Sequence, residues 1–221
     1  RVIYFGLDRN HPVMAAHRAQ GQRKVYVENG MLVAAEGSWR DAIALDDIPL
    51  TRNGTLPFQV ENAMAAVAAA WGVGLSWDDI RGGLAGFVSD VAAAPGRFNV
   101  MAYRGATVIA DYGHNPDAMH ALVAAVQAMA PKPEYRRTVV ISAAGDRRDQ
   151  DIRDQTQILG GAFDRVVLYQ DAAQRGRADG EVVALLREGL QGATRVQEVV
   201  EIRGEFAAID HALEPLVAGD L

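Results

Sequence analysis

The sequence predicts an α/β protein whose second part contains a mainly parallel sheet. From about residue 98 onward, short β-favouring runs alternate with helical segments, an order that gives parallel strands connected by right-handed crossovers. The composition is that of a folded globular protein, because 49% of the 221 residues are hydrophobic and 23% are charged. No apolar run in the sequence is long enough to predict a membrane span.

The first part of the chain is expected to combine short strands with two helices. The predicted strands are residues 2–5, 24–28 and 31–35. Asn29-Gly30 separates the last two and indicates a tight hairpin, because both residues tolerate positive φ. The Ala-rich run 59–71 contains no Gly or Pro and predicts a helix. Ser76 is expected to cap a further short helix that ends near residues 82–83.

A domain boundary is predicted after residue 89, because residues 91–96 have the composition of a linker. This divides the chain into domains 1–89 and 90–221. In the second domain the predicted strands are 98–103, 106–110, 138–142, 165–169 and 196–200, and the predicted helices are 116–129, 149–159, 181–190 and 204–217. At residues 219–221 the alternation favours another strand, so we expect this domain to be truncated before its last strand.

Three loops that follow strands carry residues able to do chemistry, since ligands of parallel α/β sheets bind beyond the carboxyl ends of the strands. Residues 111–116 place an acid and an imidazole before a helix start, with Asn115 as its cap and Pro116 in its first turn. Residues 145–151 mix Arg and Asp, and their guanidinium groups can bind a carboxylate or a phosphate. Residues 171–181 contain two arginines and three acids. Ordinary helix caps and solvated surface charges remain the alternative interpretation of each loop.

Several classes of chemistry lack support in the sequence. The chain contains no Gly-x-x-x-x-Gly-Lys-Ser/Thr phosphate loop and no Gly-x-Ser-x-Gly nucleophile motif. The histidines have no spacing typical of a metal site, so no metal-binding residue is predicted. A formal net charge of −6 argues against a nucleic-acid partner, and the lack of Cys fits a reducing compartment, so a cytoplasmic location is expected.

Five segments together resemble the Mur ligase superfamily and, within it, the carboxyl-terminal half of the cyanophycin synthetase type. They are residues 58–66, 95–99, 111–116, 145–149 and 175–177. Their order and spacing extend over essentially the whole chain. The resemblance implies the end of a P-loop-type Mur central ATPase domain at 1–89, followed by a Rossmann-like Mur ligase C-terminal domain. It also implies that the phosphate loop and most Mg²⁺ ligands lie upstream of Arg1, and that this fragment is inactive alone.

The resemblance further implies ATP-dependent amide formation, in which a carboxylate is phosphorylated and an amine attacks the acyl phosphate. In the cyanophycin synthetase type, arginine is added to an aspartate side-chain carboxylate. The implied ATP-binding residues are Gln59, Asn62, Arg97, Asp111 and Asn115, and the implied catalytic residues are Arg97, Asp111 and His114. Substrate binding is expected from Asp146, Arg147, Asp149, Asp171, Arg175, Arg177 and Glu181. An incoming guanidinium needs acids, and Asp171, Asp179 and Glu181 are available.

The expected cofactors and partners are therefore ATP, Mg²⁺, an amino acid such as arginine, and an acidic polymer primer. No nucleic acid or membrane partner is expected, and a homo-oligomer remains open.

Two other functions also remain open. The missing phosphate loop motivates a non-catalytic Mur-like module that binds a polymer or a partner. A Mur-type or folate-type ligase with another acceptor would keep the same chemistry.

Overall fold

The structure, a computed structural model, describes residues 2–129 and 135–221. It divides into two compact units, Arg1–Ala93 and Ala94–Leu221. The division falls inside the stretch 91–96, whose composition is that of a linker. No helix within the described ranges is long and apolar enough to cross a lipid bilayer.

A four-stranded sheet forms the centre of the first unit. Its strands are β1 (Tyr4–Gly6), β2 (Lys24–Glu28), β3 (Met31–Glu36) and β4 (Trp39–Ala44), in that spatial order. β1 and β2 are parallel, and the other neighbouring strands are antiparallel. The helices are α1 (Pro12–Ala19), α2 (Pro57–Gly72) and α3 (Trp77–Gly86), and short 3-10 turns lie at Leu45–Asp47 and Pro49–Thr51.

The predicted hairpin and both predicted helices of this unit are present. Asn29 and Gly30 have φ values of 52° and 73°, as a tight turn between twisted strands requires. One buried cluster joins the apolar side chains of α2 to those of β2 and β3, so the helix packs against the sheet. Ser76 caps α3, since its Oγ accepts a hydrogen bond from the Asp79 N–H at 3.2 Å.

The sequence prediction misses α1 and β4. With eight residues, α1 is too short for a convincing helical period, and it begins at Pro12 after an unusual cap. That cap is His11, whose Nδ1 accepts a hydrogen bond from the Val13 N–H at 3.3 Å. In β4 the charged pair Arg40-Asp41 interrupts the apolar residues, so neither an alternating pattern nor a continuous run is visible. Pairing with β3 holds this strand in place.

The second unit contains an antiparallel hairpin and a parallel sheet. The hairpin consists of β5 (Asn99–Tyr103) and β6 (Ala106–Ala110), and the parallel sheet has the order β7 (Thr138–Ile141), β8 (Arg165–Gln170) and β9 (Glu198–Arg203). The helices are α4 (Pro116–Met129), α5 (Asp149–Leu159), α6 (Glu181–Gly189) and α7 (Glu205–Leu213). The predicted α/β class with a parallel sheet is confirmed.

Helices cover both faces of the parallel sheet. Val166 and Leu168 of β8 are fully buried in a core shared with α4, α5 and α6, whereas Val167 packs against Ala208 and Ala212 of α7. Alternate residues of one strand therefore serve two separate cores, as expected for a strand buried on both faces.

Two predicted elements have different bounds in the structure. The strand expected at 196–200 is β9, which extends from Glu198 to Arg203. It is an edge strand, and its charged side chains interrupt the apolar run from which the bounds were predicted. The helix expected to reach residue 217 ends at Leu213. Pro215 follows closely and has no N–H with which to continue the helical hydrogen bonds.

Residues 219–221 lie between the hairpin and the parallel sheet. On one side, the Thr107 N–H donates to the Asp220 carbonyl at 2.9 Å, and on the other the Thr138 N–H donates to the Leu221 carbonyl at 2.6 Å. The Leu221 N–H also donates to the Arg136 carbonyl at 2.9 Å, which completes a parallel bridge with the start of β7. The Gly219 N–H donates to the Gly105 carbonyl at 3.0 Å, so this segment runs in the same direction as β6 as well as β7. Since β7 and β8 are parallel, the loops after β6, β7 and β8 leave the strands at the same end.

Candidate functional site

Loop A, residues 111–115 between β6 and α4, is tied to the turn that carries Arg97. The Asp111 carboxylate accepts the Phe98 N–H at 2.9 Å and the Gly113 N–H at 2.7 Å. The Tyr112 N–H donates to the Gly96 carbonyl at 2.8 Å. The guanidinium carbon of Arg97 consequently lies 5.7 Å from the centre of the exposed Tyr112 ring. The structure therefore brings Arg97 and Asp111 together, and their roles in one site remain a prediction.

The turn at residues 96–98 has an unusual backbone that several contacts fix. Gly96 has a φ of 68°, and the buried Phe98 has a φ of 52°, which is rare for a bulky residue. Asn99 is buried, and its side-chain oxygen accepts the Gly96 N–H at 2.7 Å while its amide donates to the Ala94 carbonyl at 3.0 Å. Strained backbone of this kind persists only where its surroundings hold it, and it is common at functional sites.

His114 and Asn115 complete loop A. The His114 Nδ1 lies 3.0 Å from the Tyr112 carbonyl, and the His114 and Tyr112 rings are 5.2 Å apart. The Asn115 side-chain oxygen accepts the Ala118 N–H at 2.9 Å. Asn115 is thus the cap of α4, as its position before Pro116 predicts, and a role in binding ATP remains a prediction.

Arg177 joins the loops that follow β7 and β8, namely loop B (residues 142–148) and loop C (residues 171–180). Its Nε donates to the Gly145 carbonyl at 2.7 Å, and its Nη2 donates to the Arg147 carbonyl and to Asp149 Oδ1, both at 2.7 Å. Its Nη1 donates to Glu181 Oε1 at 2.6 Å. The side chain is only 14% exposed. The guanidinium therefore binds the backbone of loop B and the first residues of α5 and α6.

The two acids that contact Arg177 have altered proton affinities. The hydrogen bond from Arg177 lowers the pKa of Asp149 below its ordinary value. The same guanidinium lowers the pKa of Glu181, helped by a hydrogen bond from the Ala178 N–H to the other carboxylate oxygen. Both acids are therefore held in their charged form at neutral pH.

Loops B and C also touch through their backbones. A Cβ atom placed on Gly145 would lie 2.1 Å from the Gln174 carbonyl oxygen, so no side chain fits at that position.

Gln170 is buried at the end of β8, and its side chain binds two residues of loop C. Its side-chain amide donates to Gln174 Oε1 at 2.7 Å, and its side-chain oxygen accepts the Gly180 N–H at 3.0 Å. Gln170 is not among the predicted site residues, although a polar residue at the end of an apolar strand is a signal for such a role.

The remaining predicted substrate-binding residues are exposed. Arg175 has a φ of 48°, and its Nη1 is 3.5 Å from Asp146 Oδ1, a long and solvent-exposed contact. Asp171 Oδ1 accepts the Ala173 N–H at 2.8 Å. The guanidinium of Arg147 is exposed, and its charge helps to lower the pKa of Asp151. Charges of both signs thus stand at the carboxyl end of the sheet.

Loop A lies close to the start of loop C. Burial raises the pKa of Tyr169, the penultimate residue of β8, to about 12, and the charges of Glu205 and Asp171 and the Tyr112 phenol add to this shift. Because β6, β7 and β8 end on the same side, the predicted residues of loops A, B and C share one end of the second unit.

Gln59 and Asn62 belong to the first unit. They lie one turn apart on α2, and the Asn62 side-chain amide donates to Gln59 Oε1 at 3.0 Å. Gln59 is buried and Asn62 is exposed. Their expected contact with ATP remains a prediction.

The described residues do not fit a metal site. No group of three or more His, Asp or Glu side chains within 2–129 and 135–221 is arranged to hold an ion.

Acidification is expected to remove the part of the contribution of Arg177 to stability that comes from its two acidic partners. Because the pKa of Asp149 and of Glu181 is lower in the folded state than in the unfolded state, their pairing stabilises the fold at neutral pH, and this stabilisation is lost as the pH falls below about 4. Denaturant unfolding of the wild type and of Arg177→Gln should differ more at pH 6 than near pH 3, because the bonds of Arg177 to the Gly145 and Arg147 carbonyls do not titrate. A difference that stays constant over this range would contradict the assignment.

Comparisons with known proteins agree on one family. The family described as the Mur ligase glutamate ligase domain matches residues 96–221. A cyanophycin synthetase from Geminocystis herdmanii is 32% identical over 100% of this chain and 25% of its own length. A UDP-N-acetylmuramoyl-L-alanyl-D-glutamate–2,6-diaminopimelate ligase from Alkaliphilus metalliredigens is 26% identical over 100% of this chain and 40% of its own length.

The fold is also similar to that of solved proteins. A murein peptide ligase from Psychrobacter arcticus matches 99% of this chain and 41% of its own chain with a TM-score of 0.61 at 12% identity. The chain spans about a quarter of the length of the cyanophycin synthetases that it matches.

Proposed function

The chain belongs to the Mur ligase family, and on that premise we propose that it is part of an ATP-dependent amide ligase of the cyanophycin synthetase type. In the proposed reaction, the γ-phosphoryl group of ATP passes to an aspartate side-chain carboxylate of an acidic polymer primer, with release of ADP. The amine of an incoming arginine then attacks the acyl carbon, phosphate leaves and the nitrogen loses a proton. The similarity over the whole chain to cyanophycin synthetases carries this proposal.

Loop A supports the nucleotide part of the proposal. The fixed backbone at residues 96–98 presents the Arg97 guanidinium beside Tyr112, where a positive charge can stabilise charge that moves during phosphoryl transfer. Each Asp111 oxygen accepts one backbone N–H and keeps a further lone pair that can accept a ribose hydroxyl. His114 stands beside them at the start of α4.

Loops B and C support recognition of a zwitterionic amino acid. Asp179 pairs with Arg203, and Glu181 pairs with Arg177, so these two acids already have cationic partners. Asp171 carries no such partner within the described part of the chain. Asp171 is therefore the acid that we propose for the guanidinium of arginine, while Arg147 is proposed for a carboxylate.

The domain assignment is part of the same proposal. We assign residues 1–89 to the end of the central ATPase domain and residues 90–221 to the Mur ligase C-terminal domain. The family match to 96–221 supports the second assignment.

The proposal is tested with the complete gene product. ATP, Mg²⁺, arginine and an aspartate polymer primer with free side-chain carboxylates are supplied, and ADP release is measured. We expect ADP release to depend on arginine. Release that depends on another amino acid would assign a different acceptor reaction, and the absence of ADP release under all of these conditions would favour a non-catalytic module.

The substrate assignment has its own variant. Asp171→Asn is expected to raise the KM for arginine by about tenfold while the KM for ATP stays unchanged, because a charge-assisted hydrogen bond is lost only toward the amino acid. Asp210→Asn, which alters an exposed acid of α7, is the matched control. An unchanged KM for arginine in Asp171→Asn would remove Asp171 from the site.

A further inference from the structure

We infer that Arg177 is a positioning residue that holds loops B and C together and does not itself bind substrate. The inference rests on the proposed function, because it concerns the same amino-acid site. It changes the interpretation of one predicted substrate-binding residue and explains why that residue must be arginine.

The hydrogen bonds of Arg177 occupy most of its donors. Four of its five N–H groups are directed at protein oxygens, two at backbone carbonyls and two at carboxylates. The side chain is largely buried by these contacts. A guanidinium in this state would have to break an existing charge-assisted hydrogen bond before it could bind a substrate carboxylate in its usual two-pronged manner.

The contacts of Arg177 fix the backbone that carries the exposed charges. Its bonds to the Gly145 and Arg147 carbonyls hold both ends of the short stretch that presents Asp146 and the Arg147 side chain. Its bonds to Asp149 and Glu181 anchor that stretch to the first turns of two helices. The side chains free to meet a ligand are thereby placed by a residue that the ligand does not touch.

The backbone contact between loops B and C supports the same role. Gly145 lies against the Gln174 carbonyl so closely that a Cβ atom would not fit, and its Cβ position is 3.5 Å from Arg177 Cγ. Arg177 thus closes a junction that is already formed by direct contact of the two loops. Lysine could supply the charge but not hydrogen bonds in four directions.

Arg148, the residue that precedes α5, offers a matched comparison. Arg148 forms a two-pronged pair with Asp151, at 2.8 and 2.6 Å, but this pair lies within one turn of a single helix and Arg148 is 84% exposed. It joins no second loop. Changes to this pair test the loss of a nearby ion pair without the loss of a connection between loops.

The decisive test uses the acids that hold Arg177. Asp149→Asn and Glu181→Gln are made in the complete gene product, beside Arg177→Gln, and the KM for arginine is measured. If Arg177 positions the loops, Arg177→Gln raises the KM by about tenfold or more, and each acid variant raises it in the same direction by about two- to fivefold. If Arg177 binds substrate, each acid variant releases its guanidinium, and the KM stays constant or falls. The second result would overturn the inference.

Two further measurements keep the test independent of the proposed reaction. Amide hydrogen exchange of loop B without substrate should accelerate in Arg177→Gln and also in Arg177→Lys, but not in Arg148→Gln or Asp151→Asn. Unchanged exchange in both Arg177 variants would overturn the inference even if the enzyme uses arginine. Accelerated exchange in a protein that does not use arginine would support the positioning role and contradict the proposed function alone.

Discussion

Replacement of Arg97 by alanine in the complete gene product is expected to lower turnover by about a hundredfold or more, which is the usual cost of removing a group that stabilises developing charge. The fold should remain intact, because other residues hold the turn around Arg97: Asn99 accepts the Gly96 N–H, Asp111 accepts the Phe98 N–H, and the Tyr112 N–H donates to the Gly96 carbonyl. The measurement is the rate of ADP release at saturating ATP and amino acid, together with the melting temperature of both proteins.

Arg104 provides the control for this experiment. Its guanidinium carbon lies 5.1 Å from the centre of the Tyr103 ring, so it makes a similar cation–aromatic contact at the exposed turn of the β5–β6 hairpin. Arg104→Ala should leave turnover within about twofold of the wild type, because an exposed contact of this kind contributes little. Equal turnover in Arg97→Ala and the wild type would remove Arg97 from the mechanism.

Local patterns in the sequence predict most of the second unit. The bounds of α4 and α5 agree with the prediction to the residue, because Asn115-Pro116 and the acids at 149 and 151 mark helix starts. The placement of residues 219–221 between β6 and β7 could not be predicted from such patterns. It depends on hydrogen bonds between segments more than eighty residues apart, which leave no local signal in three residues.

In the candidate site too, local sequence patterns predict the position of the loops but not the contacts between them. Polar loops after strands predict that loops A, B and C lie at one end of the second unit, and they do. Ligand binding there remains a prediction. Charge alone does not distinguish the roles of individual arginines. Arg147 and Arg177 are two residues of one type in neighbouring loops, yet the first is exposed and the second is committed to four hydrogen bonds. That difference arises from how the loops meet.

Replacement of Gly145 by alanine is expected to cause the largest structural change at this junction. Its Cβ atom would lie 2.1 Å from the Gln174 carbonyl oxygen and 3.2 Å from its carbonyl carbon. The nearest atoms belong to backbone, so relief requires loop B or loop C to move, and overpacking of this kind costs about 1–3 kcal/mol. We expect a reduced free energy of unfolding in denaturant and a loss of turnover larger than the loss of stability alone would cause.

Gly161→Ala separates the steric effect from the general effect of adding a methyl group. Gly161 also has no positive φ, but an added Cβ would meet only the Ile158 carbonyl oxygen, at 3.9 Å, which is an ordinary contact. This variant should be as stable as the wild type or slightly more stable, because alanine restricts the unfolded chain.

A double variant tests whether the loop contact and Arg177 act together. Because the clash at Gly145 separates the partners of Arg177, the turnover of Gly145→Ala should not fall much further when Arg177→Gln is added. Fully additive losses would show that the loop contact and the arginine act independently.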